Sequence, residues 1–166
     1  MSLTYRSFGA TFICLGLLTA CMTPPKPVAR IPFPTAEYSA LAKTGTGVVE
    51  GQLFMRTVGG DVKFGAGSEI SINPITSYSE QWFDAAHRQL VPLDPGDLRQ
   101  DQYIMSTQAD GSGNFKFTGV PPGKYFVSGV VQWQVPTQYG LSNQGGRLTN
   151  RITVSDGQTT RIILTQ

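Results

Sequence analysis

The chain has little charge, a single histidine and only two cysteines among its 166 residues. Lys and Arg (13) nearly balance Asp and Glu (11), and no run of five like charges occurs. Nucleic-acid binding needs a basic stripe or cluster to neutralise phosphates, so that class is excluded. One histidine cannot supply the imidazole sets that zinc favours. No uninterrupted apolar stretch reaches the roughly 20 residues that cross a bilayer. Gly (19) and Pro (11) are plentiful but fall short of low-complexity levels. A chain of this length is expected to build one domain around one core.

What the N-terminus does have is an address. Residues 1–20 read as a secretory signal, with Arg6 in a polar start and an apolar run from Phe8 to Leu18. Leu18-Thr19-Ala20-Cys21 matches the bacterial lipobox: an aliphatic residue, two small ones, then Cys. The match implies cleavage before Cys21, a thioether-linked lipid on its thiol and acylation of the new amine. Two or three acyl chains, each worth about 0.8 kcal/mol per buried CH₂, make a lasting anchor. Met22 stands where an inner-membrane retention signal would place Asp. For a Gram-negative cell that implies the periplasmic face of the outer membrane. An ordinary cleaved signal and an uncleaved anchor are the alternatives. Cys14 leaves with the signal, so the exported part has no disulfide and must cohere through its core.

Residues 21–47 read as the lipidated cysteine and a tether, with Pro24, Pro25, Pro27, Pro32 and Pro34 favouring extended polyproline II. The segment is either a spacer or a strap whose Ile31, Phe33, Tyr38 and Leu41 dock on the domain or on a partner. Over residues 48–166 the pattern turns to period two. Val49, Leu53 and Met55 alternate with Glu50, Gln52 and Arg56, and Tyr125, Val127, Val131, Trp133 and Val135 share a face. Such alternation between Gly, Pro and Asp-Gly breaks predicts an all-β sandwich of about seven antiparallel strands. One stretch departs from it. Ser77 and Glu80 have capping-box spacing, and Tyr78, Trp82, Ala85, Ala86 and Leu90 fall on one helical face. A short helical insertion near 78–89 is expected.

Residues 107–125 carry a family resemblance. Asp110 and Gly113 form a D-x-x-G turn, Phe115 and Phe117 an aromatic-x-aromatic strand, and Gly119-Val120-Pro121-Pro122-Gly123 a reversal leading to Tyr125. The block resembles the carboxypeptidase regulatory-like domain, a prealbumin-type sandwich, with residues 74–105 departing as an insertion. The resemblance implies the fold and no reaction, since in the enzymes that name the family this domain is an appendage. Fold-level analogy does not supply a function.

The residues themselves offer little chemistry. His87 is expected on a solvated helix face, and no serine sits in a nucleophile elbow. Asp94, Asp97 and Asp101 lack EF-hand spacing and read as a solvated turn. No enzyme activity, metal or cofactor is expected. Trp82, Phe83, Trp133 and Tyr139 are the candidate contacts for a partner or glycan. For Trp82, Phe83 and Trp133 the core-facing reading is the favoured one. The loop expected at 136–146, polar and glycine-rich, is either functional or mobile. The resulting expectation is a membrane-anchored, non-catalytic module that binds an envelope protein. The alternative is one that binds envelope polysaccharide or peptidoglycan.

Overall fold

A computed structural model describes residues 26–166. The expected signal and Cys21 lie outside the described residues. The rest is an all-β sandwich of two sheets. Strand β1 (Gly47–Arg56) organises the first sheet, pairing antiparallel with β5 (Asn114–Val120) and with the short β2 (Val62–Phe64). The final strand β8 (Thr159–Leu164) also pairs with β1, in parallel, from Val48↔Thr159 to Leu53↔Leu164. The second sheet has the order β4-β3-β6-β7: β4 (Met105–Gln108), β3 (Glu69–Pro74), β6 (Gly123–Thr137) and β7 (Gly140–Val154). The described residues therefore form eight strands, and within the two sheets one pair is parallel and the others antiparallel.

The core lies between the sheets where the alternation places it. Val49, Leu53 and Met55 from β1 meet Phe115 and Phe117 from β5 and Ile70, Ile72, Val127 and Val131 from the other sheet. The D-x-x-G turn forms as its residues suggest. Ser112 and Asn114 N–H groups donate to Asp110 Oδ1 at 2.8 Å, and Gly113 N–H donates to the Asp110 carbonyl at 3.0 Å. Gly113 takes φ +76°, and any side chain there would run into the Leu53 carbonyl.

The second sheet is covered on its outer side as well, which explains why residues 125–129 of β6 are buried without alternation. The cover is the insertion between β3 and β4. It consists of α2 (Ser77–Phe83), a π-helical stretch Asp84–Gln89 and a 3-10 helix Leu98–Tyr103. The capping box sits one residue earlier than its spacing suggests. Thr76 is the cap, exchanging bonds with Ser79, while Ser77 and Glu80 bond elsewhere. Phe83 stacks on Phe126 at 4.8 Å, Trp82 meets the same ring edge-on at 6.1 Å, and Phe126 is 1% exposed. Arg151 closes the contact by lying over both phenylalanines and holding Glu80 through two 2.7 Å bonds.

One open choice is decided and one expectation needs correction. Over residues 26–46 the proline-rich segment is a strap and not a free spacer, because it docks on the insertion. Val28 forms a parallel bridge to Leu93, and Gln81 accepts from Ile31 N–H and donates to the Ala29 carbonyl. Helix α1 (Thr35–Ser39) buries Tyr38 between Phe33 (4.5 Å) and Tyr103 (4.9 Å). Glu37 accepts from the Ser77 N–H and hydroxyl at 2.7 and 2.6 Å, bonds that hold its carboxyl below the ordinary range. Residues 136–146 are likewise no loop. Strands β6 and β7 stay paired to Thr137↔Gly140, a long hairpin turning at Gln138 and Tyr139.

Candidate functional site

Among the described residues, nothing of the kind covers the outer face of the first sheet, which presents an ordered array. Strand periodicity turns Glu50, Gln52 and Phe54 outward from β1, opposite to core-facing Val49, Leu53 and Met55. Cross-strand register then builds rows: Lys116–Glu50–Arg161, Asn114–Gln52–Ile163 and, at the far end, Phe54–Phe64. The Glu50 carboxylate contacts Arg161 Nε at 3.0 Å and Lys116 Nζ at 3.8 Å. Exposed ion pairs add about 0–1 kcal/mol, so their value here is to fix three side chains in place. Gln52 Nε2 donates to the Ser112 carbonyl at 2.9 Å, leaving its amide oxygen as an acceptor. Asp110 is held below the usual carboxylate range, first by the Asn114 side chain and then by two backbone N–H groups.

An open groove of about 1060 Å³ lies over this region, lined by Glu50, Gln52, Gln108, Asp110, Lys116, Arg161 and their neighbours. Ile163 is 59% exposed, and Phe64, 46% exposed, packs edge-to-face on Phe54 at 6.4 Å. Amides, fixed charges and flat apolar surface together suit a polyhydroxylated ligand that also has apolar C–H faces. None of these residues stood out in the sequence. The available signal was Phe54, an aromatic at an outward position of a period-two strand.

The residues singled out from sequence go to three other places. Trp82 and Phe83 join the insertion to Phe126 and are half-buried. Trp133 is partly buried against the core, and its edge lines a second groove of about 650 Å³ with Met55, Val58 and Val135. Tyr139 is 91% exposed at the hairpin tip. The structure brings Trp82 and Phe83 together and leaves Trp133 and Tyr139 apart from them.

His87 is half-buried against Phe83 (4.8 Å) and Trp82 (5.8 Å) rather than on a solvated face, and its Nε2 has no hydrogen-bond partner among the described residues. Burial, aided by the charge of Arg147, pushes its imidazole below the ordinary value. The unfolded chain therefore binds this proton at higher pH than the folded one. Stability is full above the unfolded value of about 6.5 and is lost as pH falls through the lowered folded one. Urea midpoints measured between pH 7.5 and 5 should fall for the parent, and His87→Gln should flatten that slope. An equal slope in both would assign the pH dependence elsewhere.

Among the described residues, no group of three or more His, Cys, Asp or Glu side chains could hold a metal. Asp97, one of three aspartates weighed for calcium, instead caps the 3-10 helix and grips Arg99, contacts that hold it at about 2.

No protein-family model and no curated protein matches the chain. A crystal structure from Pseudomonas aeruginosa, described as a "putative carbohydrate binding protein", is similar to it at 28% identity and a TM-score of 0.74. The likeness covers 82% of this chain and 99% of that one.

Proposed function

We propose that the chain is a non-catalytic carbohydrate-binding module, anchored to the cell envelope through lipid on Cys21. The observation that carries this reading is the face of the first sheet that the described residues leave uncovered, where the Glu50 and Gln52 rows line the larger groove and the Phe54–Phe64 pair stands farther along the same face. The Pseudomonas aeruginosa likeness, at 28% identity over nearly the whole of that chain, supports the same ligand class. The D-x-x-G turn and the reversal before Tyr125 form as the carboxypeptidase regulatory-like resemblance expects, and descent from that group is part of the proposal. The ligand class is envelope polysaccharide or peptidoglycan.

Affinity electrophoresis in gels containing these glycans tests the reading. Phe64→Ala removes exposed aromatic surface and should weaken retention about tenfold, equivalent to about 1.4 kcal/mol. Tyr139→Ala, at the hairpin tip, should leave retention unchanged. Loss on Trp133→Ala with Phe64→Ala silent would move the ligand to the end groove. No retention on any envelope glycan would defeat the reading.

A second reading, binding of an envelope protein, is favoured by the hairpin tip, where Tyr139 and Leu141 expose apolar surface that no described residue covers. Cross-linking from position 139 in native envelopes to a single stoichiometric protein would support it.

A further inference from the structure

The docked N-terminal segment changes what an anchor at Cys21 would do. The first described residue is Lys26, and hydrogen bonds fix the backbone from Val28 onward: Val28 N–H donates to the Pro92 carbonyl and its own carbonyl accepts from Asp94 N–H, both at 2.9 Å. Only residues 22–27 separate Cys21 from this fixed point. Seven residue steps extend to about 25 Å at most. A lipid on Cys21 thus keeps this end of the molecule beside the bilayer surface.

That end carries the exposed leucines of the cover. Leu90 is 80% exposed and adopts φ +52°, the one non-glycine residue with positive φ among the described residues. The left-handed region is strained for a leucine, and strain of this kind persists where the surroundings impose it. It follows the π-helical stretch directly and stands three residues before Leu93, the partner of Val28. Leu98, 81% exposed, opens the 3-10 helix, and the exposed Val28 and Ile31 are hydrogen-bonded to the same insertion, Val28 at Pro92 and Asp94 between the two leucines and Ile31 at Gln81. Five cations face six carboxylates across the strap and the insertion, so the surface is not a basic electrostatic footprint. Isolated apolar side chains on turns suit insertion among lipid headgroups and acyl chains better than a flat protein contact.

We infer that the strap and the insertion form a membrane-seated face, with Leu90 and Leu98 inserting into the lipid interface beside the anchor. This rests on the anchoring reading. It orients the molecule, leaving the hairpin tip and the outer face of the first sheet free of that contact.

The test uses the mature protein purified from membranes and reconstituted in phosphatidylethanolamine–phosphatidylglycerol vesicles. The vesicles contain a lipid with a photoreactive diazirine high on one acyl chain. Mass spectrometry of the labelled peptides should place cross-links within residues 26–32 and 86–99 and none within 137–141. The double variant Leu90→Asp/Leu98→Asp should lose labelling at least fivefold while remaining anchored. Intact mass reports the lipid on Cys21 separately. Lipid present with labelling absent, uniform or confined to the tip overturns the membrane-seated face alone. Lipid absent overturns this inference and the anchor together.

Discussion

Phe126→Ala is expected to destabilise the domain by about 3–5 kcal/mol and to release the insertion from the second sheet. Phe126 is the ring on which the cover sits: Phe83 stacks on it, Trp82 meets its edge and Arg151 lies over it. Truncation leaves these three groups facing a void that the sheet backbone cannot fill. The melting temperature should fall by about 10 °C or more. Limited proteolysis, followed by mass spectrometry, should show cleavage within residues 84–103 that the parent resists. Val127→Ala, one residue on and pointing to the interior, should lower stability without exposing that segment. Unchanged protease resistance in Phe126→Ala would mean that the cover is held by the docked N-terminal segment instead.

Gly51→Val should have the larger effect and prevent the domain from folding at ordinary temperatures. Gly51 faces Phe115 on one neighbouring strand and Ile162 on the other. A Cβ there would overlap the Ile162 carbonyl and stand 2.9 Å from both Ile162 Cγ2 and Phe115 Cζ. Side-chain overpacking commonly costs about 1–3 kcal/mol because neighbours can shift rotamer. Here one obstacle is backbone, and relief requires β1 and β8 to separate. With total stabilities of about 5–15 kcal/mol, losing that pairing removes the native state. Circular dichroism and one-dimensional NMR of the purified variant suffice to judge it. A folded Gly51→Val with a parent-like melting temperature would contradict the close β1–β8 approach.

The parts of the fold that were legible in the sequence are those where one side of an element meets water. In β1 the contrast between Val49, Leu53, Met55 and Glu50, Gln52 reports one buried face, and the structure has it so. In β6 the same reasoning found the inward set but missed Phe126, because burial on both faces erases period two. The helical insertion was visible through the spacing of Tyr78, Trp82 and Ala85. Its capping was misplaced by one residue because Ser77 and Glu80 are engaged by Glu37 and Arg151, distant partners that local spacing does not reveal.

Docking of the N-terminal segment and the extent of the long hairpin were hidden for different reasons. Proline density reports an extended backbone, and an extended backbone can be free or bound. What decides between them here is Gln81, Ser77 and Tyr103, which lie 40 or more residues away in sequence. The hairpin beyond Val135 projects past the core, so both of its faces meet water, no period-two contrast is imposed on it, and it reads as loop. The candidate site was invisible in a more basic way. Outward-facing Glu50, Gln52, Lys116 and Arg161 look like any solvated strand face until register sets them in rows.

The pairing of β1 with β8 has a consequence for how the chain reaches this state. Glu50 and Arg161, neighbours across that pair, are 111 residues apart in sequence. The first sheet can therefore close only when the last few residues are available, and such distant closure slows folding. A chain truncated ahead of Thr159 keeps every other strand but leaves one side of β1 unpaired along Val48–Leu53. An open strand of that kind invites pairing with another molecule. The C-terminal six-residue strand thus acts as a late fastener, and its loss converts an ordered domain into an aggregation-prone one.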